Sequence, residues 1–270
     1  MYLYNYASKQ ALAGLEAPMY DIQKADVWKR ISAWLFDFII LVIAVVGTAF
    51  LLSAVLGYDG YAQQMEDVKV ACEKEYGVEL DITEAEYNAK TDAERALYDQ
   101  AQKAFTHNET AGRAYAMMVN LTFLMVVFSI LFATLLLEFF VPLLLKNGQT
   151  LGKKIFGVGV MREDGVKLTP MLLFIRTVLG KYTIETMIPV MVILMFWFGT
   201  MGILGLVLIL SILIAQIVSV ASSRTRPMIH DRLAHTVTVD LASQKIFETP
   251  EALLEYRKKI AEARAQNADY

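Results

Sequence analysis

The sequence predicts an all-α membrane protein with four transmembrane helices, a short cytoplasmic β-hairpin and a small helical extracytoplasmic insertion. First, 56% of the 270 residues are hydrophobic and many of them lie in long runs, which is too apolar for a soluble domain. Second, four runs approach the length of about 20 residues that crossing a bilayer requires. Third, the charges are segregated by segment although the net charge is only −3. A lipid bilayer is therefore the expected partner, and no nucleic-acid partner is indicated.

The apolar runs define the predicted spans. The first run begins too late and is too long for a signal peptide, so we expect it to be retained as a membrane helix. The third run is short by itself, so it is either completed by the residues before it or crosses as a tilted helix, and the "FGTMG" stretch after it supplies a turn. The four predicted spans are residues 31–56, 117–145, 183–198 and 203–221.

Lysine and arginine predict the orientation of these spans. The 146–182 segment contains seven basic and two acidic residues, whereas the 57–116 segment contains six basic residues and more than twice as many acids. Cytoplasmic loops carry an excess of Lys and Arg. We therefore expect 146–182, the N-terminal segment 1–30 and the tail 222–270 to lie in the cytoplasm, and 57–116 to lie outside.

The predicted outer segment has the signals of short helices. Thr83 with Glu86, and Thr91 with Glu94, have the spacing of capping boxes. In a capping box, a hydroxyl and a carboxylate satisfy backbone N–H groups at the start of a helix. Two or three short polar helices are expected in this insertion.

The inner segment is predicted to begin with a hairpin and to continue with a helix. In "VGVMREDGVKL", residues 158–168, Asp164 and Gly165 separate two short β-prone stretches, which is typical of a tight hairpin. Thr169 and Pro170 then suit the N-cap and first position of a helix. That helix is expected to lie along the inner interface up to residue 182, before the third span.

Other motifs do not indicate enzymatic or metal chemistry. "GQTLGKK", residues 148–154, lacks P-loop spacing, so a turn whose lysines meet anionic headgroups is the better interpretation. "HDRLAHTVTVD", residues 230–240, has two histidines five positions apart, which is not the spacing of a helical zinc pair. Cys72 is the only cysteine. No partnered nucleophile is visible, so we expect no enzyme, no cofactor and no metal site.

Asp37 raises the central question, because an ionised carboxylate inside a membrane span is costly unless it is neutralised, paired or used. Arg30 lies seven residues earlier, on nearly the same helix face and about 10 Å away along the axis. Glu138 lies about 10 Å from the inner end of the second span, which is the depth of Asp37. Arg30, Asp37 and Glu138 are therefore the candidates for handling an ion or a substrate.

Further polar residues near the inner ends of the spans are candidates for structural or gating roles. Two facing carboxyl groups would share a proton, bind a cation, or be neutralised by a nearby basic side chain. Asp231 next to Arg232 suggests a clasp among helix ends. The candidates in this second group are Arg176, Lys181, Glu185, Gln216, Asp231 and Arg232.

Three of these motifs together resemble the RDD family of prokaryotic membrane proteins. They are Arg30 followed by Asp37, then "GQTLGKKIFGVGV", then "HDRLAHTVTV" after the last span. The resemblance covers about 24–240 except the outer segment, and it implies that Arg30, Asp37 and Asp231 are the arginine and aspartates that name the family. His235 stands where the family motif usually has glycine. The resemblance also implies a bacterial cell membrane, and transport, including sodium/proton exchange, is what has been suggested for such proteins.

Two functions remain open at this point. One is transport of a monovalent cation, a proton or a small solute through a polar layer near the inner third of the bilayer, for which four spans would require a homo-oligomer. The alternative is a non-transporting scaffold or accessory subunit whose buried charges clasp the helices. A transporter should have a cavity that reaches Asp37 and Glu138, whereas a scaffold should have both packed dry against arginine.

Overall fold

A computed structural model describes residues 22–145, 147–199, 202–221 and 227–268, and it is mainly helical with one two-stranded sheet. The chain divides into two compact units, one up to Val42 and from Ala133 onward, the other Ile43–Phe132. The helices are α1 (Val27–Leu56), α2 (Tyr58–Tyr76), α3 (Glu84–Ala89), α4 (Asp92–Thr106), α5 (Glu109–Leu145), α6 (Leu151–Ile155), α7 (Pro170–Trp197), α8 (Ile203–Ala221), α9 (Ile229–Leu233) and α10 (Pro250–Ala268).

Three of these helices, α1, α5 and α7, are long and apolar enough to cross a membrane. Large apolar side chains on them face outward; Phe50, Leu144 and Trp197, for example, are each more than 70% exposed. Such exposure is unfavourable in water and normal against lipid. Helix α8 is also apolar but shorter, so the count of four spans and the position of both termini stay predictions.

The third long helix, α7, is continuous from Pro170 to Trp197, with π-helical hydrogen bonding over Ile175–Met187. Its start is as predicted, because the Thr169 hydroxyl accepts a hydrogen bond from the backbone N–H of Leu172 at 3.3 Å and Pro170 occupies the first turn. No break separates an interfacial helix from a third span. The residues before the short apolar run thus belong to the same helix as the run itself.

The unit formed by Ile43–Phe132 contains the predicted insertion, which is helical. Both capping boxes are present: the hydroxyls of Thr83 and Thr91 accept from the backbone at the third helical position, and the glutamates there return a bond to the threonine N–H. Helices α2 and α4 enclose a small core around Cys72, Leu80 and Ala101. The two helix starts were predictable because capping is a local interaction.

The sheet corrects the predicted hairpin. Strand β1 (Val158–Arg162) pairs in antiparallel register with β2 (Thr236–Asp240), from Val158 opposite Asp240 to Arg162 opposite Thr236. The tight turn at Asp164 and Gly165 does form, with Gly165 at φ +90°, but it leads only to an isolated bridge between Met161 and Lys167. Both strands are buried along most of their length, with Met161, Val237 and Val239 in their core. Pairing with the distant strand places Met161, Val237 and Val239 in one core, and the burial of apolar surface stabilises that pairing.

Candidate functional site

A cavity of about 440 Å³ lies within the unit that combines the chain up to Val42 with the chain from Ala133. It is bounded by α1, α5, α6, α7, α9 and both strands. One side is apolar and belongs to α1, where Ile31, Trp34 and Phe38 line it. The ionisable residues that line it are Arg30, Asp37, Glu138, Lys153, Arg176, Lys181, His230 and Asp231. We call this space the charged cavity.

Asp37 is held by the turn that begins α6. The Thr150 hydroxyl donates to one carboxylate oxygen of Asp37, and the backbone N–H of Gly152 donates to the other at 2.7 Å. A side chain at position 152 would not fit, since its Cβ would lie 2.3 Å from the carbonyl oxygen of Ala33 in α1. The "GQTLGKK" stretch is therefore a docking turn for a side chain of a membrane helix, in which each carboxyl oxygen of the half-buried Asp37 accepts a hydrogen bond.

Glu138 lies in a π-helical segment of α5, Leu135–Phe140. Its carboxylate forms an ion pair with Lys181 of α7, and its carbonyl oxygen accepts a hydrogen bond from the Thr177 hydroxyl at 3.0 Å. Asp37 and Glu138 thus line the same cavity, while each has its own hydrogen-bond donors. π segments often occur at functional sites, and here α5 and α7 both have one where they meet.

Arg176 and Asp231 form the most buried ion pair among the described residues, with 3% and 2% of the side chains exposed. The guanidinium donates to one oxygen of Asp231 through Nε at 3.1 Å and Nη2 at 2.8 Å. The Thr236 hydroxyl donates to the same oxygen at 3.1 Å. Burial alone would raise the pKa of Asp231, but Arg176 and further cationic neighbours lower it to well below its ordinary value. This pair ties α7 to α9, as a clasp would.

His230 extends this network from Arg176 to Glu185. Its Nδ1 lies 2.7 Å from Oε2 of Glu185, its backbone N–H donates to Oε1 at 3.0 Å, and its Nε2 lies 3.1 Å from Nη2 of Arg176. Because arginine can only donate, Nε2 must accept and Nδ1 must carry the proton. Burial is the main reason that the pKa of His230 lies below its ordinary value, which agrees with this neutral tautomer.

Gln216 and Arg232, two of the predicted structural or gating residues, join the end of α8 to α9. The side-chain oxygen of Gln216 accepts from the backbone N–H of Ile229 at 3.2 Å. The Arg232 guanidinium donates to the carbonyl oxygen of Ser219 at 3.1 Å. Neither residue lines the charged cavity; both hold the short helix that carries His230 in place.

Lys153 is the residue that the sequence did not single out. The prediction assigned it, with Lys154, to lipid headgroups, but it lines the charged cavity, and its Nζ is buried without a hydrogen-bond partner in the described part of the chain. Burial, reinforced by the charges of Arg176 and Lys181, lowers the pKa of Lys153 to about 7. Lys154 is exposed. The two adjacent lysines look equivalent in sequence. The orientation of α6 decides which of them faces the cavity and which faces outward.

His235, which stands where the family motif usually has glycine, makes the turn nonetheless. Its φ is +49°, in the left-handed region. Histidine is among the non-glycine residues that are enriched there. The ring is exposed and lies 3.8 Å from the Glu163 carboxylate, so the turn leads into β2 with no buried side chain to accommodate.

Together, the exposed apolar helices and the charged cavity define an integral membrane protein with a polar site inside it. The model of the RDD family matches residues 24–235, which is most of the chain. The chain belongs to the RDD family. No curated protein and no solved structure matches it.

Proposed function

We propose that this RDD family protein transports an ion or a small solute through the charged cavity, with movement linked to a proton. The observation that carries the proposal is the cavity of about 440 Å³ that reaches both Asp37 and Glu138. Its volume falls within the range of about 300–1,000 Å³ typical of small-molecule sites. A purely structural cluster of charges has no need of such a space.

Proton linkage is supported by the balance of charges around the cavity. Two of its carboxylates have ion-pair partners, Glu138 with Lys181 and Asp231 with Arg176. Lys153 has no hydrogen-bond partner among the described residues and a pKa of about 7. Gain or loss of its proton near neutral pH therefore changes the net charge of the cavity by one, and this change alters the affinity of the cavity for any charged occupant.

The experiment is flux into proteoliposomes that contain the full chain, measured with a panel of monovalent cations and a lumenal pH dye. Wild type should move protons in response to at least one ion gradient or solute gradient. Asp37→Asn should lose most of this flux, because an amide keeps the shape of the group and loses its charge. Glu255→Gln, which alters an exposed ion pair in α10, should retain it. Equal flux in wild type and Asp37→Asn would contradict the proposal.

A scaffold or accessory role is the second candidate, and the Arg176–Asp231–His230–Glu185 network supports it. All four side chains have specific partners, as expected of polar contacts that fix helix packing. The outcome that would favour this role is the absence of flux for every ion and solute tested, in liposomes that an added ionophore shows to be sealed.

The orientation belongs to the same proposal: both termini in the cytoplasm of a bacterial cell and the 57–116 segment outside, in a homo-oligomer. Native Cys72 is a poor probe because it is 7% exposed and burial raises its pKa. Cysteine introduced at the exposed positions Glu84 and Lys259 is better. An impermeant maleimide should label Glu84→Cys in intact cells and Lys259→Cys only after permeabilisation, and the reverse pattern would invert the topology. Native mass spectrometry from nanodiscs would give the oligomeric state.

A further inference from the structure

We infer that the charged cavity binds an amphiphilic anion, in which an oxyacid group faces Lys153 and an aliphatic chain lies against the apolar wall formed by Ile31, Trp34 and Phe38 of α1. This names the ligand of the cavity described above. It depends on the proposed function only for the claim that the ligand is also moved.

The ammonium group of Lys153 requires an acceptor. An ammonium group carries three donors and no acceptor, and a buried polar group without a partner is rare and costly. Lys153 Nζ is in this state among the described residues. The neighbouring carboxylates accept from other donors: Asp37 from Thr150 and Gly152, and Glu138 from Lys181. An external anion would supply the missing acceptor.

The charges of the residues that line the cavity favour an anionic ligand. With Lys153 protonated, the cationic residues lining the cavity are Arg30, Lys153, Arg176 and Lys181, against the carboxylates of Asp37, Glu138 and Asp231. The residues that line the cavity thus carry one excess positive charge, because His230 is neutral by its hydrogen bonds. The carboxylate of Glu185 does not line the cavity and accepts from the backbone N–H and Nδ1 of His230. A cationic occupant would face this excess, whereas an anionic one would balance it.

The apolar wall favours a ligand with an aliphatic chain. Ile31, Trp34 and Phe38 line the cavity and are also 46%, 56% and 46% exposed. Apolar surface that lines a cavity with a charged end matches a ligand that has both an aliphatic chain and a charged group. A small inorganic anion would contact only the charged end of the cavity.

The test uses decanesulfonate, whose charge does not change with pH, and the full-length protein in phosphatidylcholine nanodiscs, with binding measured by calorimetry. Saturable binding is expected, while decanol and decyltrimethylammonium, with the same chain and no negative charge, should bind at least about tenfold more weakly. Lys153→Met should weaken decanesulfonate binding by about tenfold or more. Lys154→Met, at the exposed neighbour, should not change it. Equal binding by wild type and Lys153→Met, or equal binding of the cationic analogue, would overturn the inference.

Measurements on wild type alone keep the test decisive if Lys153→Met does not fold. The groups near Lys153 are Asp37, Glu138, Arg176 and Lys181. Affinity for decanesulfonate should fall between about pH 6 and about pH 8.5 as Lys153 loses its proton, and a constant affinity would count against Lys153 as the contact.

Two further comparisons distinguish a lipid ligand from a free amphiphile and distinguish ligand binding from transport. If phosphatidylglycerol in the nanodisc competes with decanesulfonate, the natural anion is a lipid headgroup. If phosphatidylglycerol does not compete, the natural anion is a free amphiphile. If decanesulfonate binds but no ion or solute flux is found in proteoliposomes, the inferred ligand is supported and the proposed transport is contradicted. If flux is found but decanesulfonate does not bind, transport is supported and the inferred ligand is contradicted.

Discussion

Removing the charge of Asp231 should destabilise the protein strongly, because it strands a buried guanidinium. Asp231 and Arg176 are almost fully buried, and breaking such a pair by removing one partner costs about 3 to 5 kcal/mol. In Asp231→Asn the amide oxygen can still accept from Arg176, so the loss is mainly electrostatic. The second carboxylate oxygen accepts from the backbone N–H of Met228 at 3.4 Å, and an amide NH₂ at that place would oppose it.

The assay is denaturant unfolding in mixed micelles, with Tm as a second measure. Asp231→Asn should lower the free energy of unfolding by about 3 kcal/mol or more. Arg176→Met combined with Asp231→Asn should cost clearly less than the sum of the single variants, because no unpaired charge remains. Glu255→Gln provides the control, since its partner Lys259 is on an exposed face of α10 and exposed pairs contribute little.

Two results would refute this reasoning. One is a change of less than about 1 kcal/mol in Asp231→Asn, which would mean that the pair is solvated in the membrane-bound protein. The other is a double variant whose cost equals the sum of the two single costs, because strict additivity indicates that the two side chains do not interact.

Three further predictions concern single positions, all measured by unfolding in micelles. Gly152→Ala should destabilise by roughly 1 to 3 kcal/mol through overpacking against Ala33, whereas Gly47→Ala, where an added Cβ meets nothing within 4 Å, should not; equal effects would contradict the docking of α6. Wild type should gain stability as pH rises from about 7 towards 10.5, because the unfolded state keeps the Lys153 proton that the folded state releases; Lys153→Met should lack this rise, and an unchanged slope would count against the buried ammonium. His235→Gly should leave stability unchanged or raise it by up to about 1 kcal/mol, since glycine adopts a φ of +49° without strain; a loss would mean that the ring makes a needed contact.

The local features of this protein could be predicted from its sequence. The capping boxes at Thr83 and Thr91 and the helix start at Thr169 follow from residues three positions apart. The apolar runs give the long helices because burial in lipid requires length and composition alone. Helix rise also predicts one depth for Asp37 and Glu138, and both residues line the charged cavity.

The contacts of the charged cavity could not be predicted in this way. Thr150 and Gly152 are separated from Asp37 by 113 and 115 positions, and Arg176 from Asp231 by 55. No spacing rule connects residues so far apart, because their contact depends on how several helices pack. The partner of β1 could not be predicted either. The sequence predicted that β1 pairs with the stretch after Asp164 and Gly165, whereas it pairs with β2.

The sequence by itself determined that this chain is a membrane protein with an RDD motif, and it identified Asp37 as a carboxylate that requires compensation. Only the tertiary structure decided what provides it: a hydroxyl and a backbone N–H from the α6 turn. It likewise decided that the Nζ of Lys153 is buried while Lys154 is exposed. The physical reason is that hydrophobicity acts residue by residue, whereas hydrogen bonds and ion pairs depend on distances of about 3 Å that only the packed helices set.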